Sequence, residues 1–244
     1  MRKLSEHTGV SLPTNHSDTV ILFFTRSEEE DAVLKNVLPQ RNLAKQTFLH
    51  LINHTQNEAV KSGIPVYTIR SDKQVGESFG QKLGNAFCLL YEKGFEKVIA
   101  IGNDCPELDA EALKNAELRL SESDVVLGPS RDGGTYLIGI HKKAFLKKEF
   151  ENINWQTPDV FQELQSIFTV RGLHPEYLPV LSDIDTDRDL TFILQKKSLK
   201  KHLIKLLSSL KSLFASWFSK YAHYFIPCSG TIHIDRLYQR GPPS

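Results

Sequence analysis

Short unbroken apolar runs alternate along the chain with longer stretches whose apolar positions recur every three or four residues. Residues 19–25 (TVILFFT) are almost wholly apolar and rich in β-formers, which predicts a strand covered on both faces. Ser27 followed by Glu30 has the spacing of a capping box and predicts a helix start. A helix is expected over 42–62, stopped by Gly63, and a second strand over 65–70 (PVYTIR). In 77–93, Phe79, Leu83, Ala86, Phe87 and Leu90 recur at helical spacing, with Gly94 as the stop. Residues 97–101 (KVIAI) read as a central strand and 110–120 as a helix. Strands follow at 124–127 and, after a double glycine, 136–140. Thr157-Pro158 predicts another helix start, and 187–194 is expected to begin a helix that leads into the helical stretch 196–225.

Strands that alternate with longer helices predict an α/β layered fold with a mostly parallel sheet. Ligands in such folds sit beyond the carboxyl ends of the strands. Gly102-Asn103-Asp104-Cys105-Pro106 follows the strand KVIAI directly, so Asp104 stands where a divalent cation could bridge a carboxylate to a phosphate. The same residues also suit a plain turn before a helix. Asp132-Gly133-Gly134-Thr135-Tyr136 would leave room for a ligand against the backbone, or form a simple hairpin turn. Asp183, Asp185, Asp187 and Asp189 alternate, which on extended chain places all four on one face. A calcium loop is excluded, because its sixth and twelfth positions hold Arg188 and Leu194. Asp187 and Asp189 suit a helix start, which leaves Asp185 as the candidate ligand. Walker-type and dinucleotide-binding glycine loops are missing from the sequence, as is the nucleophile elbow of serine hydrolases.

Composition narrows the classes. The 244 residues are 40% hydrophobic and 24% charged, as in an ordinary folded protein. A net charge of +1 argues against nucleic-acid binding through bulk charge. That charge is uneven. Residues 190–244 hold nine basic residues and one acid, leaving 21 basic and 28 acidic residues in 1–189, a net of −7. Three scattered cysteines and a polar amino terminus without an apolar run lead to the expectation of a cytoplasmic protein without disulfides.

Four motifs in order, IGNDCPEL, DVVLGPSRDGGTYLIGI, INWQT and LSDIDTDRDL, resemble the DUF2064 family. These are GT-A-type proteins described as rSAM/selenodomain-associated transferases or arsenosugar-type glycosyltransferases, similar to the guanylyltransferases of cofactor biosynthesis. The resemblance spans roughly 19–195. It implies a GT-A-like three-layer sandwich and a nucleotide-sugar or nucleotide donor held with Mg²⁺ or Mn²⁺. It also implies metal ligation by Asp104 and Asp185, with Asp132 and Asp185 in catalytic roles. Arg26, Lys35, Asn103, Gly133, Gly134, Tyr136 and Trp155 would contact substrate, Trp155 on the acceptor side. Metal-dependent glycosyl transfer to a small-molecule acceptor is the leading expectation. Nucleotidyl transfer to a phosphorylated small molecule is the alternative, and a non-catalytic GT-A scaffold a third. The family form after the first strand, F-A-R-x-P, then Gly, then K-T-R-L, is altered here. Arg26 and Lys35 have counterparts, but the Gly does not, and four consecutive acids, Glu28 to Asp31, stand in the loop. They would repel a diphosphate unless they turn away as the first turn of a helix.

The expected organisation is a polar tail (1–18), the transferase domain (19–195), a basic amphipathic helical extension (196–226) and a terminal tail (227–244) with an edge strand at 231–234. Residues 196–225 carry seven lysines, no acid, and an apolar stripe through Leu203, Leu207, Leu210 and Trp217. Such a helix would lie on an anionic membrane, as in a peripheral membrane protein, or pack on the acidic body or a second copy.

Overall fold

The structure is a computed structural model that describes residues 17–35, 37–38, 40–195, 207–209, 212 and 215–216. The expected tails 1–16 and 227–244, the strand at 231–234 and most of the 196–226 helix lie outside the described residues.

Six strands form one sheet: β1 (Thr19–Thr25), β2 (Val66–Arg70), β3 (Lys97–Ile101), β4 (Val125–Pro129), β5 (Thr135–His141) and β6 (Glu176–Tyr177). Their order is β2-β1-β3-β5-β4-β6, and all pairings are parallel except those of β5 with β3 and β4. Seven described helices cover it: α1 (Glu28–Leu34), α2 (Arg41–Lys61), α3 (Phe79–Glu92), α4 (Ala110–Glu122), α5 (Lys147–Glu151), α6 (Val160–Val170) and α7 (Asp187–Leu194).

The apolar run of β1 is buried at every position because both faces are covered. Val20, Leu22 and Phe24 join Val98 and Ala100 under α3, α5 and α6. Ile21 and Phe23 join Ile99 and Ile101 under α2 and α4. These two cores make the expected three-layer α/β sandwich. A third cluster packs Phe48 and Leu51 of α2 against Leu190 and Ile193 of α7 and the buried Leu207.

Predicted strands and most helices fall within a few residues of the observed ones. The helix expected from Thr157-Pro158 begins instead at Val160. The Thr157 hydroxyl donates back to the Asn154 carbonyl (2.7 Å), and Gln156 adopts a positive φ of 67°, so this stretch is a turn. The four alternating aspartates do not share one face either, because α7 opens at Asp187 and rotates Asp187 and Asp189 away from the extended segment.

Candidate active site

The carboxyl ends of β1 and β3 and the amino end of the antiparallel β5 open onto a cavity of about 450 Å³, within the usual range for ligand sites. Asp104 reaches it from the turn after β3. Asp185 arrives by another route: the chain after β6 runs beside β4, with Leu181 N donating to Pro129 O and Arg131 N to Leu181 O. Ile184 N then donates to Asp104 O (2.9 Å) and brings the two distant segments together.

The two carboxylates converge on an ammonium. Lys35 Nζ lies 2.6 Å from Asp104 Oδ2 and 2.8 Å from Asp185 Oδ1. The Lys35 side chain is 9% exposed, whereas Asp104 and Asp185 keep 30% and 46% of theirs open towards the cavity. Burial alone would lower Lys35, but Asp104, Asp185 and Asp31 outweigh it and raise its pKa. Burial pushes Asp104 up, and the Lys35 ammonium more than reverses this, leaving it below the ordinary carboxylate range.

The acid run settles into helix α1. Ser27 and Glu30 complete the capping box, Glu28 pairs with Arg70 (2.9 Å) and Glu29 with Lys45. These acids sit in the first turn, where the helix dipole favours negative charge. Asp31 alone turns into the cavity wall, where it accepts from Asn103 Nδ2 (2.9 Å) and pairs with Arg26 (3.5 Å). Burial raises its pKa against the pull of Lys35 and Asn103.

The remaining sequence candidates divide. Asp132, Gly134, Tyr136 and Trp155 line the cavity. Asp132 Oδ1 accepts from Gly134 N (3.0 Å), so the segment is both the β4–β5 hairpin turn and part of the wall. Gly133 serves packing: it has φ +91°, and a Cβ there would lie 2.0 Å from Pro158 O. The Tyr136 hydroxyl donates to Pro179 O (2.9 Å) and the Trp155 indole to Phe150 O (2.8 Å), so both present ring faces rather than free donors. Sequence reasoning did not single out Asp31, Thr135 or Asp183, which also line the cavity. Burial, reinforced by Asp104, raises Asp183 well above the ordinary carboxylate value. Its only sequence signal was the alternation it shares with three other aspartates.

Against known proteins, residues 40–157 match the model of DUF2064, described as an uncharacterized protein conserved in bacteria. A 2-phospho-L-lactate guanylyltransferase from Methanocaldococcus sp. (strain FS406-22) is 26% identical over 144 residues. That stretch is 59% of this chain and 62% of the relative, so the match spans less than two thirds of that protein. A solved structure from Desulfovibrio desulfuricans G20, described as a nucleotide-diphospho-sugar transferase, superposes with a TM-score of 0.74 at 22% identity. It covers 82% of this chain and 98% of that one, and the likeness speaks for the fold. The resemblance to DUF2064 is therefore borne out over three of its four motifs, which lie inside the match, while LSDIDTDRDL (181–190) lies beyond it; the fold is that of a GT-A-like α/β sandwich.

Proposed function

We propose that the chain is a metal-dependent nucleotidyltransferase. It moves a nucleoside monophosphate from a nucleoside triphosphate to the phosphate of a small acceptor. The observation that carries this reading is the meeting of Asp104 and Asp185 around one cationic group at the carboxyl edge of β3. The guanylyltransferase relative favours this reading over glycosyl transfer, the leading expectation from the sequence.

The donor set suits Mg²⁺ or Mn²⁺. Two carboxylates already enclose a cation, the Lys35 ammonium. Among the described residues no group of three or more His, Cys, Asp or Glu side chains forms a full cage. Hard cations of this kind take one or two carboxylates and complete their shell with substrate phosphate oxygens. When bound, the cation would neutralise phosphate charge as the leaving group departs.

The protein's own groups do the rest. Among the described residues, five aspartates but only Arg26 and Lys35 line the cavity, so a polyphosphate enters only with its charge compensated. Asp104 and Asp185 would hold the cation, and one bound to the oxygens Lys35 now contacts would compete with its ammonium, which the phosphates would then attract. The acceptor phosphate oxygen then attacks the α-phosphorus. A new P–O bond forms, the bond to the β-phosphate oxygen breaks, and pyrophosphate leaves.

Pyrophosphate release from each of the four nucleoside triphosphates, with Mg²⁺ or Mn²⁺ and a panel of phosphorylated acceptors, tests the reading. At least one pair should release pyrophosphate, and Asp104→Asn should reduce the rate by about 100-fold or more. Release of a nucleoside diphosphate from nucleotide-sugars, with every triphosphate silent, would return the assignment to glycosyl transfer.

A further inference from the structure

Helix α2 buries Thr47, His54, Thr55 and Glu58 together with its apolar side chains. Two of these polar residues reach the segment that carries Asp104. His54 is 7% exposed, and its Nε2 lies 3.1 Å from Pro106 O. A carbonyl only accepts, so the imidazole carries a proton on Nε2. One helical turn on, Glu58 Oε2 accepts from the N–H of Ala110, the first residue of α4 (3.2 Å). A spacing of four residues puts both groups on one face of α2. Neither lines the cavity, whereas Asp104 does. They hold the turn from behind the site.

Little slack separates the His54 bond from Asp104. Pro106 is itself buried, so its carbonyl needs a donor. Proline fixes its own φ and restricts the residue before it to extended backbone, which leaves Cys105 and Pro106 few free torsions. The Cys105 side chain is buried in the core under α2 and α4. On its other side, Asp104 O accepts from Ile184 N (2.9 Å). A displacement of Pro106 O therefore carries Asp104 with it.

The same helix backs the other two charged groups. The Phe48 ring lies beneath the Lys35 ammonium, 5.7 Å from centroid to Nζ. Phe48 and Leu51 pack on Leu190 and Ile193 of α7, which opens two residues after Asp185. One element thus stands behind Lys35, Asp185 and Asp104, and His54 is its link to the last of them. We infer that His54 is a positioning residue for Asp104. By holding Pro106 O, it sets where the Asp104 carboxylate stands relative to Asp185, and so sets the affinity of the pair for a divalent cation. This inference rests on the metal-dependent reading of the site.

Binding of Mn²⁺ alone to the full chain, read by electron paramagnetic resonance of the free ion, tests this without turnover. Three substitutions differ in what they offer Pro106 O. His54→Gln keeps an amide donor near the place of Nε2, His54→Asn holds the same amide one carbon short, and His54→Leu keeps bulk without a donor. H54N and H54L should weaken Mn²⁺ binding by about tenfold or more, and H54Q should stay within about threefold of the wild type. Urea unfolding of the same proteins separates positioning from packing. A merely structural role lowers the midpoints and leaves the Mn²⁺ affinity of the folded protein unchanged. Should H54L not fold, H54Q and H54N decide between them: equal Mn²⁺ affinity in the two, whether kept or lost, would overturn the role of His54 and leave the metal site standing. Wild-type protein that binds no Mn²⁺ would remove the metal site and the role of His54 with it. Mn²⁺ binding that follows the donor at position 54, with no pyrophosphate released from any triphosphate, upholds the positioning role and removes the nucleotidyl reading.

Discussion

Lys35 holds the two aspartates together at the sheet edge with a positive charge tethered to the chain. Removing it leaves Asp104 and Asp185 facing each other without compensation. Lys35→Met should therefore tighten binding of Mn²⁺ alone by about tenfold, within the usual span of coupling between sites. Binding of the triphosphate should weaken in the same variant, because the displaced ammonium is lost to the phosphates. Electron paramagnetic resonance of free Mn²⁺ reads the first effect; unchanged or weaker Mn²⁺ binding would refute direct competition. Asp183 makes a different prediction. Burial raises its pKa, so the native state holds a proton that the unfolded chain releases. Stability is then lost as pH rises from the ordinary carboxylate value through the raised one. Asp183→Asn should stabilise the protein more at pH 8 than at pH 4 in urea unfolding, and equal gains would exclude burial of the charge as the cause. Asp104 and Asp185 stood out in the sequence through their motifs, and Lys35 only through the family resemblance. That Lys35 binds both aspartates was not legible, because the meeting depends on the backbone bond from Ile184 to Asp104. Asp31 was hidden for a related reason: four adjacent acids read as one charge run, and only helical rotation separates the inward acid from the outward three.

Helix α1 stands where the family resemblance leads one to expect a glycine-containing loop. It is seven residues long, too short to be stable alone, so its ends matter. The capping box at Ser27 and Glu30 fixes the first turn, Asp31 follows in the cavity wall, and Lys35 is the C-cap residue. Ser27→Ala should cost about 1 kcal/mol of stability, and Ser27→Asp, which keeps an acceptor, should cost less. Urea midpoints check this, and equal losses would assign the serine a packing role instead of a capping one. The contrast among elements shows what a sequence can encode locally. Strands β1 and β3 were legible because both of their faces are covered and their central runs, residues 20–24 and 98–101, are apolar without interruption. Capping residues and Gly63 gave the ends of several helices. Strand β6 was not legible, since it has two exposed residues and exists only by pairing with β4. The shift of α6 to Val160 has the same character: the Thr157 hydroxyl donates back to Asn154 O and accepts from Asp159 N (3.4 Å) within a turn, and Pro158 is held against the Gly133 turn.

At the scale of the whole molecule, charge and apolar surface in the carboxyl segment admit two arrangements. The basic stripe could meet an anionic membrane, or it could fold back on a body with a net charge of −7. No helix among the described residues is long and apolar enough to cross a membrane. Leu207, one of the stripe residues, is 0% exposed and shares a cluster with Phe48, Leu51, Leu190 and Ile193. A membrane-facing stripe would leave that leucine free for lipid, whereas packing on the body makes it part of the core that joins α2 to α7. Leu207→Ala should consequently destabilise the full chain by about 2–5 kcal/mol, the cost of a large-to-small change at a buried site. The wild type should not float with phosphatidylserine vesicles at physiological salt. A neutral Leu207→Ala together with vesicle flotation would reverse the assignment, because a side chain that lipid can claim contributes nothing to the folded body.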